Sequence, residues 1–281
     1  MTRRLHFIPL LAPSTLLLLG LVAIPLLSIA WLSFQVHKGE GLTLRNYVEI
    51  FTDPFYAEIY WRTFALAFCV TVISVWLGTW AALALYRIES RWRSIILLAC
   101  LVPLLISVIV RTMGWALLLS PTGLVNLVLV KSGLIAQPIE LLYTATGVVI
   151  ALVHVTAPYV VISVWASLER IPRGVELAAV SLGASRLTTL RRITIPLAMP
   201  GILSATLLVF AISFGAFATP AIMGGGRLKM AANIAYEEFL TTQNWPMGAA
   251  PSVVILLMCA AILGGVNLLV EYRYKLSRQG L

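Results

Sequence analysis

Charged residues are scarce in this 281-residue sequence, where they make up 11% of the chain, whereas hydrophobic residues make up 60%. This balance excludes a soluble globular domain, in which about a quarter of the residues are charged. It indicates an integral membrane protein. The apolar runs are continuous and do not alternate with polar residues, so they predict helices rather than the strands of a membrane barrel.

Carboxylates are absent from the long apolar runs, because all 11 aspartates and glutamates lie in loops or at the ends of the runs. Carriers powered by a proton or sodium gradient commonly place such groups at membrane depth to bind the coupling ion. Their absence therefore argues against a self-powered carrier. The Gly-Lys-Ser/Thr of a nucleotide-binding P-loop is also lacking, since Lys131-Ser132 follows Val130. If ATP drives this protein, another chain binds the ATP.

Signs of a catalytic or metal centre are lacking as well. The three cysteines, Cys69, Cys100 and Cys259, lie in apolar runs without the close spacing of a metal or redox motif. Ser163 and Ser213 lack the Gly-x-Ser-x-Gly setting of a hydrolase nucleophile. We therefore expect no metal, no cofactor and no enzymatic activity in this chain.

Six apolar runs are long enough to cross a membrane, for which a helix needs about 20 residues. They cover roughly residues 8 to 31, 62 to 85, 95 to 119, 144 to 167, 200 to 222 and 251 to 270. The first run is longer than the apolar core of a signal peptide, about 7 to 15 residues, so we interpret it as a retained span. The sequence predicts an all-α polytopic membrane protein with six transmembrane helices in a single domain over residues 1–281.

The basic residues predict the orientation of the spans. If the N-terminus is cytoplasmic, the inner segments hold 13 lysines and arginines and the outer segments hold 5, a bias that places both termini in the cytoplasm. Topology then accounts for the net charge of +9, and we expect no nucleic-acid binding. The inner residues are Arg3, Arg4, Arg87, Arg91, Arg93, Arg170, Arg173, Arg186, Arg191, Arg192, Arg273, Lys275 and Arg278, and the outer residues are Lys38, Arg45, Lys131, Arg227 and Lys229.

Arg111 is the one charge well inside a predicted span, in the run LLISVIVRTMGWALLL. A lone arginine at membrane depth costs a few kcal/mol, so its side chain must face protein, water or a partner rather than lipid. Two interpretations stay open. Arg111 lines the substrate path, or it is a structural charge that pairs with backbone carbonyls or extends toward the outer surface, about two helical turns away.

The predicted cytoplasmic segment 168–199 is much longer than a helix hairpin needs. Pro172 suits the first turn of a helix, and Gly183 suits its end. Ser185 then caps a second short helix, which we expect to end at Pro196. A helix, a glycine turn and a second helix suit docking into a groove on a partner protein.

This segment resembles the EAA loop of binding-protein-dependent ABC importer permeases, in which Glu-Ala-Ala is followed by Gly and, further on, by a hydrophobic-x-Pro ending. Leu177 occupies the position of the family's glutamate, and Glu176 lies one residue upstream. The residues that match the pattern at the family's spacing are Ala178, Ala179, Gly183, Ile193, Ile195 and Pro196. Two predicted outer segments, LTLRNYVEIFTDPFYAEIYWRTFALAF and TPAIMGGGRLKMAANIAYEEFLTTQNWPMGAA, are similar to those of the spermidine/putrescine branch.

The resemblance implies a type I importer permease fold in the bacterial plasma (inner) membrane. It also implies several partners: a second, homologous permease that completes the pathway, ABC ATPase subunits that bind ATP and Mg, and a periplasmic or lipid-anchored substrate-binding protein. The short helix around Gly174 to Leu182 is then the coupling helix, seated in a groove of the ATPase.

By the same resemblance the substrate is a polyamine, such as spermidine or putrescine, or a related small polar amino compound. Glu140, Glu237 and Glu238 lie toward the outer side, but Arg111 repels a polycation if it faces the pathway. An anionic or zwitterionic amino compound therefore stays an alternative. A self-contained carrier or channel, in which the cytoplasmic segment serves only topology, is the competing function.

Overall fold

A computed structural model describes residues 8–39, 41–88 and 90–279. Arg3 and Arg4, which contribute to the predicted charge bias, lie outside the described residues. The helices in this part of the chain are α1 (Ile8–Ser33), α2 (Arg45–Thr52), α3 (Pro54–Arg87), α4 (Ser90–Leu105), α5 (Val108–Leu119), α6 (Leu124–Lys131), α7 (Ala145–Leu168), α8 (Arg173–Ser181), α9 (Arg186–Thr189), α10 (Ile195–Phe214), α11 (Ala218–Met223), α12 (Ala231–Leu240) and α13 (Trp245–Gln279).

The prediction of an all-α protein with six membrane spans is confirmed. The described residues form helices and no strand, apart from one isolated bridge between Gln35 and Leu42. The helical stretches that are long and apolar enough to cross a membrane are Thr15–Ser33, Pro54–Arg87, Val108–Lys131, Ala145–Leu168, Arg186–Phe214 and Trp245–Val270. The cytoplasmic placement of both termini stays a prediction.

The third predicted span, over residues 95 to 119, is wrong as a single helix, because α4 ends at Leu105 and α5 begins at Val108. The last four carbonyls of a helix have no partner within it, and in an apolar setting each needs a donor from elsewhere. The guanidinium of Arg111, in the first turn of α5, donates a hydrogen bond to the backbone oxygen of Pro103, in the last turn of α4. This contact satisfies a carbonyl that the break leaves unpaired.

One compact unit consists of the described residues within Met1–Glu58 and Ala231–Ala260. Polar side chains of α2 fix the end of α1 there. Ser33 Oγ lies 2.6 Å from the hydroxyl of Tyr47, and the Asn46 amide donates to the backbone oxygen of Ser33 at 2.9 Å. The first bond joins the two helices through their side chains, and the second gives a partner to a carbonyl at the end of the first span.

The other unit consists of the described residues within Ile59–Met230 and Ala261–Leu281. Its core lies where α7 packs along α10, with α3 against both, and Val160, Val164 and Val209 are fully buried in it. A Cβ added to Gly201 would lie 2.5 Å from Ser167 Cβ, so the glycine permits the close helix contact. This packing fixes the end of α7 and the beginning of α10. Both α3 and α13 contribute residues to both units, and the single domain over 1–281 stays a prediction.

Candidate functional site

The connecting segment, residues 168–199, joins the spans of α7 and α10 and contains the predicted docking helix. A helix predicted around Gly174 to Leu182 is confirmed as α8, with the bounds Arg173–Ser181. Pro172 lies at its N-cap, in an extended conformation, rather than inside the first turn. Proline suits either place because the first amides of a helix have no partner within it.

Gly183 ends α8 in the left-handed conformation, with a φ of +85°. The N–H of Gly183 donates to the oxygen of Val180, and the N–H of Ala184 donates to the oxygen of Ala179, both at 3.0 Å. This pair of bonds is the Schellman arrangement, which satisfies the last carbonyls of a helix and reverses the chain. Residues with a Cβ adopt this backbone conformation only at a cost, so the glycine is required here.

The second predicted helix begins as expected and ends differently. Ser185 caps α9, since its Oγ accepts a hydrogen bond from the N–H of Thr188 at 3.2 Å. The prediction that Pro196 ends this helix is wrong, because α9 continues through a five-residue π-helical turn, Leu190–Thr194, into α10. A proline lacks an N–H and collides with a carbonyl of the preceding α-turn, and a wider π-turn before it relieves both conflicts.

The residues of the predicted EAA pattern face in different directions. Ala179 is buried against the rest of the segment, and Ile193 and Ile195 are half-buried. Leu177, at the position of the family's glutamate, leaves 68% of its side chain exposed, and Leu182 leaves 89% exposed. Glu176 is half-buried, and Ala178, Gly183 and Pro196 are exposed.

An apolar surface on α8 follows from this arrangement. Because α8 and its C-cap residue Leu182 lie between two spans, Leu177 and Leu182 are outside the stretches that cross the membrane. Leu177, Val180 and Leu182 are exposed apolar residues, and we call these three the docking face. Exposed apolar patches on folded proteins mark surfaces that interact with another protein, a ligand or the membrane. A cytoplasmic segment that served only the topology of the spans would not need this exposed apolar surface.

A salt bridge that the sequence interpretation missed fixes the chain just before α8. Arg93 donates to Glu169 Oε1 at 2.6 Å and also to the backbone oxygens of Tyr86 and Ile88 at 3.2 Å. Glu169 caps the end of α7, whereas Tyr86 and Ile88 lie at the end of α3. Arg93 itself lies in the first turn of α4. The bridge therefore joins the ends of α3 and α7 and the beginning of α4, next to the connecting segment. Its partners are 76 residues apart, and no motif spacing indicates them.

Replacing Arg93 by glutamine should destabilise this junction. The substitution removes a charge-assisted bond and a donor for two carbonyls, so we expect the free energy of unfolding to fall by about 1–3 kcal/mol. Glu169→Gln should cost less, because its amide oxygen still accepts a bond and its charge is partly screened by solvent. Arg227→Gln, at an exposed loop position, is the matched control with little expected effect. Equal melting temperatures for the Arg93 and Arg227 variants in detergent would contradict the role of the bridge.

Arg111 is placed in the membrane-spanning part and is buried. Its guanidinium makes the contact with Pro103 described above, and its neighbour Thr112 lies with its Oγ1 3.2 Å from Thr219 Oγ1 of α11. The contact with a backbone carbonyl is of the kind that the structural interpretation expects. Its role in the substrate path stays a prediction. Among the described residues, no group of three or more His, Cys, Asp and Glu side chains is placed to hold a metal ion.

Comparison with known proteins gives consistent matches over most of the chain. Residues 74–276 match the family described as binding-protein-dependent transport system inner membrane component. The spermidine/putrescine transport system permease protein PotB of Haemophilus influenzae is 28% identical over 251 residues, 88% of this chain and 87% of that protein. PotB of Escherichia coli is 34% identical over 231 residues, 82% of each chain. The crystal structure of a bacterial ABC transporter involved in the import of the acidic polysaccharide alginate matches with a TM-score of 0.81 at 17% identity, over 96% of each chain.

Proposed function

This chain belongs to the family of binding-protein-dependent transport system inner membrane components, and from this premise we propose that it forms half of the solute pathway of an ATP-driven importer. It is a multi-pass membrane protein with the type I permease fold of ABC importers, whose permease subunits are not themselves catalytic. A second, homologous permease supplies the other half of the pathway. A periplasmic or lipid-anchored binding protein delivers the solute, in the bacterial inner membrane.

The docking face carries the coupling part of this proposal. A short helix outside the membrane exposes Leu177 and Leu182 and is held by the Schellman turn at Gly183. We propose that this helix sits in a groove of an ATPase subunit that binds ATP and Mg. Because α9 continues into α10, a displacement of the segment would pass directly to a membrane span, as expected for a two-state change of the rocking type.

The transported solute is proposed to be a polyamine. The support comes from the two PotB relatives, which are named as spermidine/putrescine permeases and match most of this chain. No carboxylate lies in the predicted spans, so this chain alone holds a polycation weakly. Selection then rests mainly on the binding protein, and acidic groups come from the partner permease.

Ligand-stimulated ATP hydrolysis by the assembled complex tests this function. We expect binding protein loaded with spermidine or putrescine to raise the hydrolysis rate several-fold, and binding protein presented with an opine, a phosphonate or an amino acid to leave it unchanged. The control is the same complex with empty binding protein. Stimulation by an anionic amino compound instead would contradict the polyamine assignment. Uptake into liposomes by this chain alone, driven by an ion gradient, would contradict the importer.

A further inference from the structure

We propose that Glu176 and Thr194 act as positioning residues, joined by a hydrogen bond that fixes α8 on the beginning of α10, and that Glu176 does not contact the ATPase. This hydrogen bond is called the latch. The inference rests on the proposed function, since it concerns how the docking helix is held. It also assigns a role to the glutamate that is displaced by one residue from the family's position.

The latch is short and sheltered. Thr194 Oγ1 donates to Glu176 Oε1 at 2.6 Å, and Thr194 leaves only 3% of its surface exposed. The two residues are 18 positions apart, so the bond closes the connecting segment on itself. A hydrogen bond to an ionised acceptor is stronger than one between neutral groups, and burial of one partner protects it from competing water.

Two basic side chains border the cavity at the latch. Arg87, from the end of α3, and Arg186, from the start of α9, line the same cavity of about 210 Å³ as Glu176 and Thr194. Glu176 is the one carboxylate among the residues that line this cavity, and the basic groups around it belong to this chain rather than to a partner.

Leu177 projects from α8 in a different direction from Glu176, although both border a wider cavity beside Glu169. Consecutive residues of an α-helix are about 100° apart around its axis, so a glutamate that turns inward places the next side chain on a different face. Leu177 is exposed there, while Glu176 is half-buried. This position therefore offers an apolar side chain to a partner, whereas the Glu176 carboxylate is hydrogen-bonded to Thr194 within the segment.

The position of Thr194 gives the latch its mechanical role. Thr194 is the last residue of the π-helical turn, directly before α10. Isolated π-turns within α-helices are frequent at functional sites. With the latch closed, α8 is bonded to the far side of this turn and moves together with α10. With the latch open, α8 moves without carrying the span.

Four substitutions in the assembled complex separate this role from a docking charge. Thr194→Val and Glu176→Met remove the bond while keeping nearly the same volume. Thr194→Ser and Glu176→Gln keep a donor and an acceptor, respectively. We measure hydrogen exchange of the amides of Val175–Leu182, ATPase co-purification, and the ratio of ATP hydrolysis with spermidine-loaded binding protein to basal hydrolysis.

Loss of the latch should speed amide exchange in α8 about tenfold, the change expected for one charge-assisted hydrogen bond, without altering exchange in α7. Thr194→Val, Glu176→Met and the variant that carries both substitutions should lower the hydrolysis ratio to the same extent. Thr194→Ser and Glu176→Gln should stay within about twofold of the unmodified chain. Co-purification of the ATPase should persist in all of them.

Two results would overturn the latch. One is unchanged α8 exchange in both Thr194→Val and Glu176→Met. The other is equal loss of ATPase binding in Glu176→Gln and Glu176→Met with normal behaviour of Thr194→Val, which would make the carboxylate a docking charge. Failure of the unmodified chain to bind an ATPase would instead contradict the proposed function, and the exchange pattern would still decide whether the latch exists.

Discussion

Substituting valine for Gly183 should lower ligand-stimulated ATP hydrolysis by the assembled importer at least tenfold while leaving the membrane spans folded. Gly183 has a φ of +85°, a conformation that costs an L-residue about 1–2 kcal/mol and a β-branched residue more. A Cβ added there meets no atom within 4 Å, so the penalty comes from the backbone and not from a clash. This strain is relieved only if the Schellman hydrogen bonds break. Their loss displaces Leu182 and the C-terminal end of α8.

Two other glycine substitutions test this explanation. Gly183→Asn should keep most of the coupling, because asparagine enters the left-handed region more readily than other residues with a side chain. Gly174→Ala should have no adverse effect, since Gly174 lies in the first turn of α8 with open space around it and no left-handed φ. Equal losses for valine and asparagine would indicate that any side chain at this position obstructs the partner, and the backbone explanation would be wrong.

Local signals in the sequence were sufficient to predict the first helix of the connecting segment and the beginning of the second. The glycine after α8 and the serine before α9 act through bonds to residues no more than five positions away, so a short window contains the whole cause. The six spans were predictable for a similar reason, because hydrophobicity over about 20 residues decides membrane insertion.

Breaks and continuations of helices were not predictable in the same way. Hydropathy does not distinguish one long helix from the two helices α4 and α5, since Ser107 is a single polar residue between apolar residues on both sides. Pro196 was expected to end a helix, but the π-turn before it removes the conflict that makes proline a breaker. The outcome at both places depends on particular hydrogen bonds, from Arg111 to Pro103 and within the π-turn, which hydropathy does not register.

The contacts that hold the candidate site were the least predictable. Arg93 pairs with Glu169, and Glu176 pairs with Thr194, across 76 and 18 residues. Charge counting assigned Arg93 to topology, and motif matching placed Glu176 in the coupling helix, one residue upstream of the family's glutamate position. Both assignments treat each residue alone, whereas its role follows from what the packing of α3, α7 and α10 places opposite it.

A charge placed on the docking face should release the ATPase. Leu182→Asp puts a carboxylate at a side chain that is 89% exposed in this chain and, by the proposed function, buried in the complex. A hot-spot residue in the buried centre of an interface contributes about 2 kcal/mol or more, so with Leu182 in that role we expect affinity for the ATPase to fall about 30-fold or more. Leu182→Met keeps an apolar side chain and should bind normally. Co-purification and a titration with isolated ATPase measure the change, and the melting temperature of the free permease should stay constant.

Leu177→Glu decides what the partner offers at this surface. The substitution restores the residue type of the family's pattern, so a partner with a basic group opposite this position would bind the variant more tightly. An apolar groove would instead have to accept an unpaired charge, and binding would weaken by a factor comparable to that for Leu182→Asp. We expect weakening, because Glu176 is held within the segment and Leu177 is the exposed residue. Tighter binding of the Leu177→Glu variant would show that the ATPase groove holds a basic group opposite this position, and the apolar groove would be wrong.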